Sequence, residues 1–144
     1  MQKTVVAALL SQQGRLLICQ RSAEGTFAGK WEFPGGKIEP GEDPKTALRR
    51  ELQEELGIVA QVGEEVWRVE HQYAGHAPLR LLFFAITAYR GTVENRVFQQ
   101  VCWAAPEELR HYDFLAADLT LVQKLTAGEL PIPSCAIISR TGSF

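Results

Sequence analysis

Residues 36–58 read GKIEPGEDPKTALRRELQEELGI, and this stretch determines the fold and the chemistry expected of the chain. Three carboxylates, Glu51, Glu54 and Glu55, occur in it at positions i, i+3 and i+4. On an α-helix this spacing places all three on one side. Carboxylates crowded in this way repel one another unless a cation lies among them. Because oxygen ligands suit Mg²⁺ or Mn²⁺, the pattern predicts a divalent-cation site.

The residues around the three carboxylates specify a helix with defined ends. Asp43 is a suitable N-cap, and Pro44 suits the first helical position, where its missing N–H costs nothing. Gly57 favours the left-handed conformation that ends many helices. A core-facing stripe is predicted from three leucines spaced four residues apart, Leu48, Leu52 and Leu56.

A solvated helix rich in glutamate and arginine is the alternative interpretation of an isolated Glu-x-x-Glu-Glu pattern. Here seven fixed identities coincide at set spacings, and chance agreement is on the order of 10⁻⁸ per start position. Arg50 precedes Glu51 directly and would hold a carboxylate in one orientation. We therefore interpret the segment as a functional site.

The segment from Gly36 to Ile58 resembles the signature box of the Nudix hydrolases at every fixed position. The preceding residues 31–37, WEFPGGK, resemble the MutT-like branch, whose members cleanse nucleotide pools. A weaker resemblance extends from Lys3 to about Leu125. The family resemblance implies an α/β fold, the Nudix α/β/α sandwich with a mixed β-sheet. It also implies hydrolysis of a nucleoside triphosphate, such as CTP, 5-methyl-dCTP or 8-oxo-dGTP, to the monophosphate and pyrophosphate.

The resemblance assigns metal ligation to Glu51, Glu54 and Glu55, with the backbone carbonyl of Gly35 as a further ligand. The expected cofactor is Mg²⁺ or Mn²⁺, and Arg50 belongs to the same catalytic set. Either Glu54 or Glu55 would also take the proton of the attacking water. The Pro-Gly-Gly turn before the helix would let the backbone approach the metal closely, because glycine adopts conformations closed to other residues.

One feature of MutT-like chains is missing. Such chains often carry a further glutamate six residues before the tryptophan of the last core strand, and counting back from Trp103 reaches Val97. The nearest carboxylate is Glu94. Either Glu94 takes this place through a shifted loop, or the site operates on the helix carboxylates alone. The identity of the base and the number of metals therefore stay open.

Five further side chains are candidates for substrate contacts: Arg21, Phe33, Lys37, Phe84 and Asp118. Arg21 and Lys37 would contact phosphates, with ordinary surface bases as the alternative. Phe33 stands at a family position that lines the nucleobase pocket. Phe83 and Phe84 alternate on one strand, so either one of them faces the pocket or both pack in the core.

Asp118 stands where the MutT enzyme that removes 8-oxo-dGTP has asparagine. A subgroup that cleaves cytidine triphosphate carries Ala-Asp here, similar to Ala117-Asp118. An ionised aspartate only accepts hydrogen bonds, which favours bases that present amino groups, such as cytosine or adenine. A raised pKa would let Asp118 donate, and 8-oxoguanine would return as a candidate. Capping of the following helix is the structural alternative.

Composition bounds the class of protein. The chain has 144 residues, 46% hydrophobic and 22% charged, which suits one domain with its own core. A net charge of −2 provides no basic field for nucleic acid polymers. No apolar run reaches about 18 residues, and the first residues lack a signal-peptide pattern. The cysteines, which show no CxxC spacing, fit buried thiols in a reducing cytoplasm: Cys19, Cys102 and Cys135. The expected partner is a small nucleotide, with neither nucleic acid polymer nor membrane.

Residues 1–128 are expected to form the Nudix domain and residues 129–144 a C-terminal tail, whose IPSCAIIS stretch would add a strand or pack on a partner. Whether the chain is a monomer or a dimer stays open. The other strands are predicted at residues 4–10, 15–21, 31–33, 59–72, 79–89 and 101–104, with a break near Gly63. Two short helices are predicted, one from Pro106 and one over residues 119–125.

Two other functions compete with triphosphate hydrolysis. One is hydrolysis of ADP-ribose or a dinucleoside polyphosphate, which the WEFPGGK segment disfavours. The other is a non-catalytic recognition domain that reads 8-oxoguanine in DNA. Such domains usually lose the glutamates, and here all are intact.

Overall fold

The computed structural model describes residues 2–138. This part of the chain contains nine strands, two α-helices and two 3₁₀ helices. The strands are β1 (Lys3–Leu9), β2 (Ser11–Gln12), β3 (Arg15–Gln20), β4 (Trp31–Glu32), β5 (Gly35–Lys37), β6 (Val59–His71), β7 (Leu79–Arg90), β8 (Gln100–Ala104) and β9 (Ala136–Ile138). The helices are α1 (Pro44–Leu56), α2 (Leu119–Thr126) and the 3₁₀ helices Pro106–His111 and Ala116–Asp118.

The strands divide between two sheets. The larger is mixed and runs in the order β5-β1-β7-β6, with β9 also paired to β7. In it β1 and β9 lie parallel to β7, while β5 and β6 are antiparallel to their neighbours. The smaller sheet is antiparallel and contains β2, β3, β4 and β8 around β3. The mixed sheet expected from the sequence is confirmed, and the hairpin strands form a second sheet beside it.

The larger sheet separates two apolar cores. On one face the leucines of α1 pack against Val6, Phe84 and Ile86. On the other face Phe83 packs with Leu121 of α2. Phe83 and Phe84 enter opposite cores because successive strand residues point to opposite faces. This arrangement is the expected α/β/α sandwich.

Helix α1 follows the sequence prediction closely. The Asp43 carboxylate accepts a hydrogen bond from the Thr46 N–H at 2.9 Å, which makes it the N-cap. Gly57 has φ 71°, in the left-handed region expected for a C-terminal cap. The three stripe residues are fully buried: Leu48, Leu52 and Leu56.

The break predicted near Gly63 is also present. The register between β6 and β7 shifts between Val62 and Glu65. A Cβ at Gly63 would lie 2.7 Å from the Thr87 methyl group, so a side chain there would crowd the bulge. Glycine thus permits the register shift in this long strand.

The tail contributes to the main sheet. β9 pairs with β7 from Ala88 to Arg90, beyond the point where β1 ends opposite Ala85. Of the two possibilities for IPSCAIIS, a strand is present at residues 136–138. The last residues of the predicted tail, 139–144, lie outside the described residues.

Two details differ from expectation. The segment from Pro106 forms a 3₁₀ helix, and only Cys19 of the three cysteines is buried, since Cys102 and Cys135 are partly exposed. No helix within residues 2–138 has the length and apolar character needed to cross a membrane.

Candidate active site

The last two turns of α1 face the Pro-Gly-Gly turn directly. The Glu55 Oε1 atom accepts a hydrogen bond from the Gly35 N–H at 3.2 Å. The Glu51 carboxylate lies so close to Gly36 that a Cβ at this position would stand 2.5 Å from it. The turn and two of the three helix carboxylates therefore form one continuous surface.

Glycine is required at position 35 for two reasons. Its φ of 156° is rarely adopted by other residues, and a Cβ there would collide with the carbonyl oxygen of Val6 on the adjacent strand β1. The pairing of Gly35 with Ala7 fixes the turn on the sheet. The backbone is thus held against the carboxylates by the core of the fold.

Arg50 connects the helix to the loop before it. Its guanidinium donates to both Glu42 oxygens at 2.7 and 3.0 Å and to Glu51 at 2.9 Å. It also donates to the Lys37 carbonyl at 3.1 Å. The arginine hydrogen bonds lower the pKa of Glu42, which also accepts from the Glu39 N–H. The expectation that Arg50 pairs with carboxylates is confirmed, and Glu42 stabilises the loop.

Burial and crowding raise the pKa of two inner carboxylates, Glu51 and Glu55. Burial is the largest effect that raises the pKa of Glu55, to about 9, and Glu51 and Glu32 add to it. Burial also raises the pKa of Glu51, opposed by its contacts with Arg50. A cation between these groups would displace the protons, because metal ligation requires the deprotonated form.

The oxygen donors of α1 and the glycine turn suit a divalent cation in their chemistry, although the side chains do not point to one common position. No three His, Cys, Asp or Glu side chains within residues 2–138 are arranged to hold a metal ion. The Glu51 carboxylate accepts a hydrogen bond from Arg50, and that of Glu55 accepts one from the Gly35 N–H. The Glu54 side chain is 60% exposed. All available ligands are oxygens, namely carboxylates and backbone carbonyls, which is the set that Mg²⁺ and Mn²⁺ prefer.

A cavity of about 340 Å³ opens beside the carboxylates. It brings together six of the residues predicted to serve the site: Arg21, Phe33, Gly35, Lys37, Glu55 and Asp118. Its wall also contains an aromatic group that the sequence did not indicate: Phe27, Tyr73 and His76. The Phe27 ring centroid lies 4.5 Å from that of Tyr73 and 5.5 Å from that of His76. One cavity is thus lined both by aromatic side chains and by Glu55.

Phe84 is not brought to this cavity, which corrects the expectation that it contacts the base. It is 4% exposed and lies in the core under α1, on the other face of the sheet. Phe83 faces the cavity side but stands behind Phe33, edge to face with a centroid distance of 5.9 Å. Both phenylalanines of this strand therefore serve packing.

The Asp118 side chain does not cap α2, so the alternative role considered for it in the sequence is wrong. Its backbone is already helical, with φ −92° and ψ −12°, and its side chain makes no capping hydrogen bond. It is 3% exposed and lines the cavity. Burial, aided by the nearby Glu32 charge, raises the pKa of Asp118 well above its ordinary value. The shift favours the neutral acid over the ionised form.

Comparison with known proteins identifies the family. The sequence model of the NUDIX domain matches residues 1–125 of this chain. The chain belongs to the Nudix family. The CTP pyrophosphohydrolase of Escherichia coli (strain K12) is 40% identical over 123 residues, which cover 85% of this chain and 90% of that protein. Nucleoside triphosphatase NudI of Escherichia coli O81 (strain ED1a) is 34% identical over 128 residues, covering 81% and 91%.

Solved structures agree with this assignment. The solution structure of the E. coli ORF135 protein matches with a TM-score of 0.78 and 38% identity, covering 89% of this chain and 91% of that one. The crystal structure of a MutT protein from Methanosarcina mazei Go1 matches with a TM-score of 0.79, covering 89% and 95%. At 23% identity the second match shows the fold alone. The predicted resemblance is confirmed, and the chain is an enzyme, a Nudix hydrolase.

Sequence reasoning missed Glu32, which lines both cavities. Arg21 donates to both of its oxygens, at 3.1 and 3.2 Å, and to the Thr26 carbonyl at 3.0 Å. Burial raises the pKa of Glu32, and the Arg21 charge opposes the shift. A signal existed, since Glu32 is a single charge between the aromatic residues Trp31 and Phe33. In this Nudix hydrolase the Arg21 guanidinium therefore lines the cavity while it is paired with Glu32.

Val97 reaches the site, whereas Glu94 does not. A smaller cavity of about 220 Å³ is lined by Val97 together with Glu55 and Glu32. The Glu94 carboxylate instead pairs with Arg96 at 3.4 Å, and its N–H donates to the Leu56 carbonyl. The loop of this Nudix hydrolase therefore presents an apolar side chain toward the helix carboxylates.

Proposed function

We propose that this Nudix hydrolase cleaves a nucleoside triphosphate to the monophosphate and pyrophosphate, in the presence of Mg²⁺ or Mn²⁺. The observation that carries the proposal is one cavity lined by Phe33 and Asp118 together with Gly35 and Glu55. A base held by Phe33 and Asp118 would leave its phosphates within the same cavity as Gly35 and Glu55. The proposed role is removal of unwanted nucleotides from the cytoplasmic pool.

The cation is proposed to be held by Glu51, Glu54, Glu55 and the Gly35 carbonyl. A bound Mg²⁺ or Mn²⁺ neutralises phosphate charge and makes a bound water more acidic. Arg50 orients Glu51 by the hydrogen bond at 2.9 Å. The water proton passes to Glu54 or Glu55, which single substitutions distinguish. Because Glu94 is engaged by Arg96, we propose that the helix carboxylates act without a loop glutamate.

Phosphate contacts are assigned to Lys37 and Arg21. Lys37 lines the cavity next to the glycine turn and its side chain has no partner among the hydrogen bonds of residues 2–138. Arg21 lines both cavities, so an anion there would compete with Glu32 for its guanidinium. Both positive charges therefore border the cavity that Glu55 also lines.

Base recognition is assigned to Phe33 and Asp118. A neutral carboxyl group presents an O–H donor beside a C=O acceptor. Cytosine offers the complementary pair, an amino donor next to a ring acceptor. The 40% identical relative is named as a CTP pyrophosphohydrolase, which supports cytosine triphosphates as the leading substrates. Since the neutral acid resembles asparagine in its donor and acceptor, 8-oxo-dGTP is the second candidate.

A substrate panel tests the proposal. CTP, 5-methyl-dCTP, 8-oxo-dGTP, dATP and ADP-ribose are offered with Mg²⁺, and the products are separated. We expect a nucleoside monophosphate and pyrophosphate, with the highest kcat/KM for a cytosine triphosphate. Release of orthophosphate with a nucleoside diphosphate would show that another bond is cleaved. A preference for ADP-ribose would replace the triphosphate assignment.

A further inference from the structure

The segment 92–98 between β7 and β8 docks on the C-terminal end of α1. The Glu94 N–H donates to the Leu56 carbonyl at 2.9 Å, and the Arg96 N–H donates to the Glu55 carbonyl at 3.1 Å. The Arg96 guanidinium donates to the Gln53 carbonyl at 3.3 Å. The last carbonyls of a helix have no partners within it, and a cation there is favourable. Arg96 therefore caps α1 from a distant part of the chain.

Gly57 makes room for this contact. A Cβ at Gly57 would lie 2.6 Å from the Nη2 atom of Arg96. The Gly57 N–H also donates to the Gln53 carbonyl, at 3.1 Å, so this oxygen receives both the helix cap and the arginine. Glycine at position 57 therefore has two functions. It adopts the left-handed φ that ends the helix, and it leaves room for the Arg96 guanidinium.

The same segment reaches the catalytic carboxylates from the other side. Val97 follows Arg96 directly, is 56% exposed, and lines the smaller cavity with Glu55 and Glu32. The backbone of Glu55 is therefore bonded to Arg96, and its side chain shares a cavity with the next residue. A movement of Arg96 would be transmitted to the turn of α1 that carries Glu54 and Glu55.

We propose that Arg96 is a positioning residue for the cation site. By holding the Gln53 and Glu55 carbonyls, it fixes the last turn of α1 so that the carboxylates in that turn reach the cation together. The inference rests on the proposed metal-dependent function. It gives this loop a structural task in the chemistry although the loop brings no carboxylate of its own to the site.

The test measures Mn²⁺ affinity in the absence of nucleotide, by the electron paramagnetic resonance signal of free Mn²⁺. We expect R96A to weaken Mn²⁺ binding about tenfold or more, as for other residues that support metal ligands. Amide hydrogen exchange of residues 53–57 in the metal-free protein should accelerate. R96K, which keeps the charge and the reach, should recover part of the affinity. E94Q, which leaves the arginine bonded to α1, should stay within about twofold of wild type.

R110A supplies a matched control, because Arg110 is an exposed arginine outside both cavities. An R96A affinity within about twofold of wild type would overturn the proposal, even with a lower melting temperature. Should R96A not fold, R96Q is held to the same threshold. A wild-type protein that binds Mn²⁺ but hydrolyses no nucleotide would overturn the proposed function, while the R96A comparison would still decide the role of Arg96. A wild-type protein that binds no Mn²⁺ would overturn both.

Discussion

Glu55 accepts a hydrogen bond from the Gly35 backbone N–H at 3.2 Å, and this contact joins the glycine turn to the carboxylate helix. The two residues are twenty positions apart, one held by the sheet and the other by α1. Glu54, one residue earlier, is largely exposed, and its carboxylate lies 3.4 Å from the Arg50 guanidinium. Neighbouring carboxylates thus differ in freedom, and substitutions should separate their roles.

Removal of the Glu54 charge should affect turnover far more than folding. E54Q keeps the side-chain size at an exposed position, so the melting temperature should change little. Loss of its ligand or base function should lower kcat by at least about 10². The matched control is E64Q, which alters an exposed glutamate on β6. Full activity of wild type in excess chelator would contradict the metal assignment.

Glu55 should make the metal-free protein sensitive to pH. Its folded pKa of about 9 lies above the ordinary 4.5, so the stability gained from the neutral form is complete below about pH 4.5 and is lost as pH rises through 9. E55Q does not ionise. In chelator, its melting temperature should therefore rise relative to wild type between about pH 5 and 9, by roughly 4 °C or more.

The effect of Mg²⁺ on the melting temperatures of wild type and E55Q provides the control. Because a ligand that binds only the folded state stabilises it, saturating Mg²⁺ should raise the melting temperature of wild type more than that of E55Q. Other buried acids, such as Glu32 and Asp118, are common to both proteins and cancel in the comparison. A constant difference across the pH range would show that Glu55 does not hold its proton.

Arg50 should stabilise the fold by holding the loop before α1 against the helix. R50A removes the hydrogen bonds to Glu42, Glu51 and the Lys37 carbonyl, and leaves two partly buried carboxylates without their donor. We expect R50A to have a lower free energy of unfolding than wild type, because hydrogen bonds to charged groups are lost. R50K should recover only part of the lost stability, since an ammonium group lacks the planar, two-pronged geometry of the guanidinium. Urea denaturation of the three proteins measures this, and equal stabilities would contradict it.

The sequence predicted α1 most completely because its signals are local. The cap at Asp43, the leucine stripe and Gly57 act within a few residues of one another, so no knowledge of the remaining chain is needed. That Gly35 and Glu55 lie together follows only from the family resemblance, which assigns both to one metal site and does not predict their hydrogen bond. This hydrogen bond depends on β5 pairing with β1, a tertiary event.

The remaining site residues were set by packing that no local pattern encodes. Alternation on β7 predicts that Phe83 and Phe84 face opposite sides, but not which side holds the cavity. Phe27 and Tyr73 belong to separate loops that meet only in the folded protein. Asp118 has the residue type and position of a cap, yet the 3₁₀ turn before α2 makes its backbone helical and removes that role.

Restoring a carboxylate at Val97 should strengthen cation binding. Val97 is exposed and shares the smaller cavity with Glu55, so V97E adds an oxygen ligand there without disturbing the core. We expect Mn²⁺ affinity to rise by on the order of tenfold, the scale on which changes around a metal site act. V97Q, which adds the same bulk without charge, is the control. Equal affinities for V97E and V97Q would show that this wall lies out of reach of the cation.

Asp118 should recognise the base as a neutral acid. The asparagine of D118N also presents one donor and one acceptor, so kcat/KM for CTP near neutral pH should stay within about threefold of wild type. D118L removes both groups and should lower it about ten- to a hundredfold. As pH rises, ionisation of Asp118 removes the donor in wild type but not in D118N. Glu32, Tyr73 and Arg21, the ionisable groups around it, are unchanged in both proteins. The kcat/KM of wild type should therefore fall relative to D118N on the alkaline side. A large loss in D118N at every pH would instead show that the base is recognised by the carboxylate.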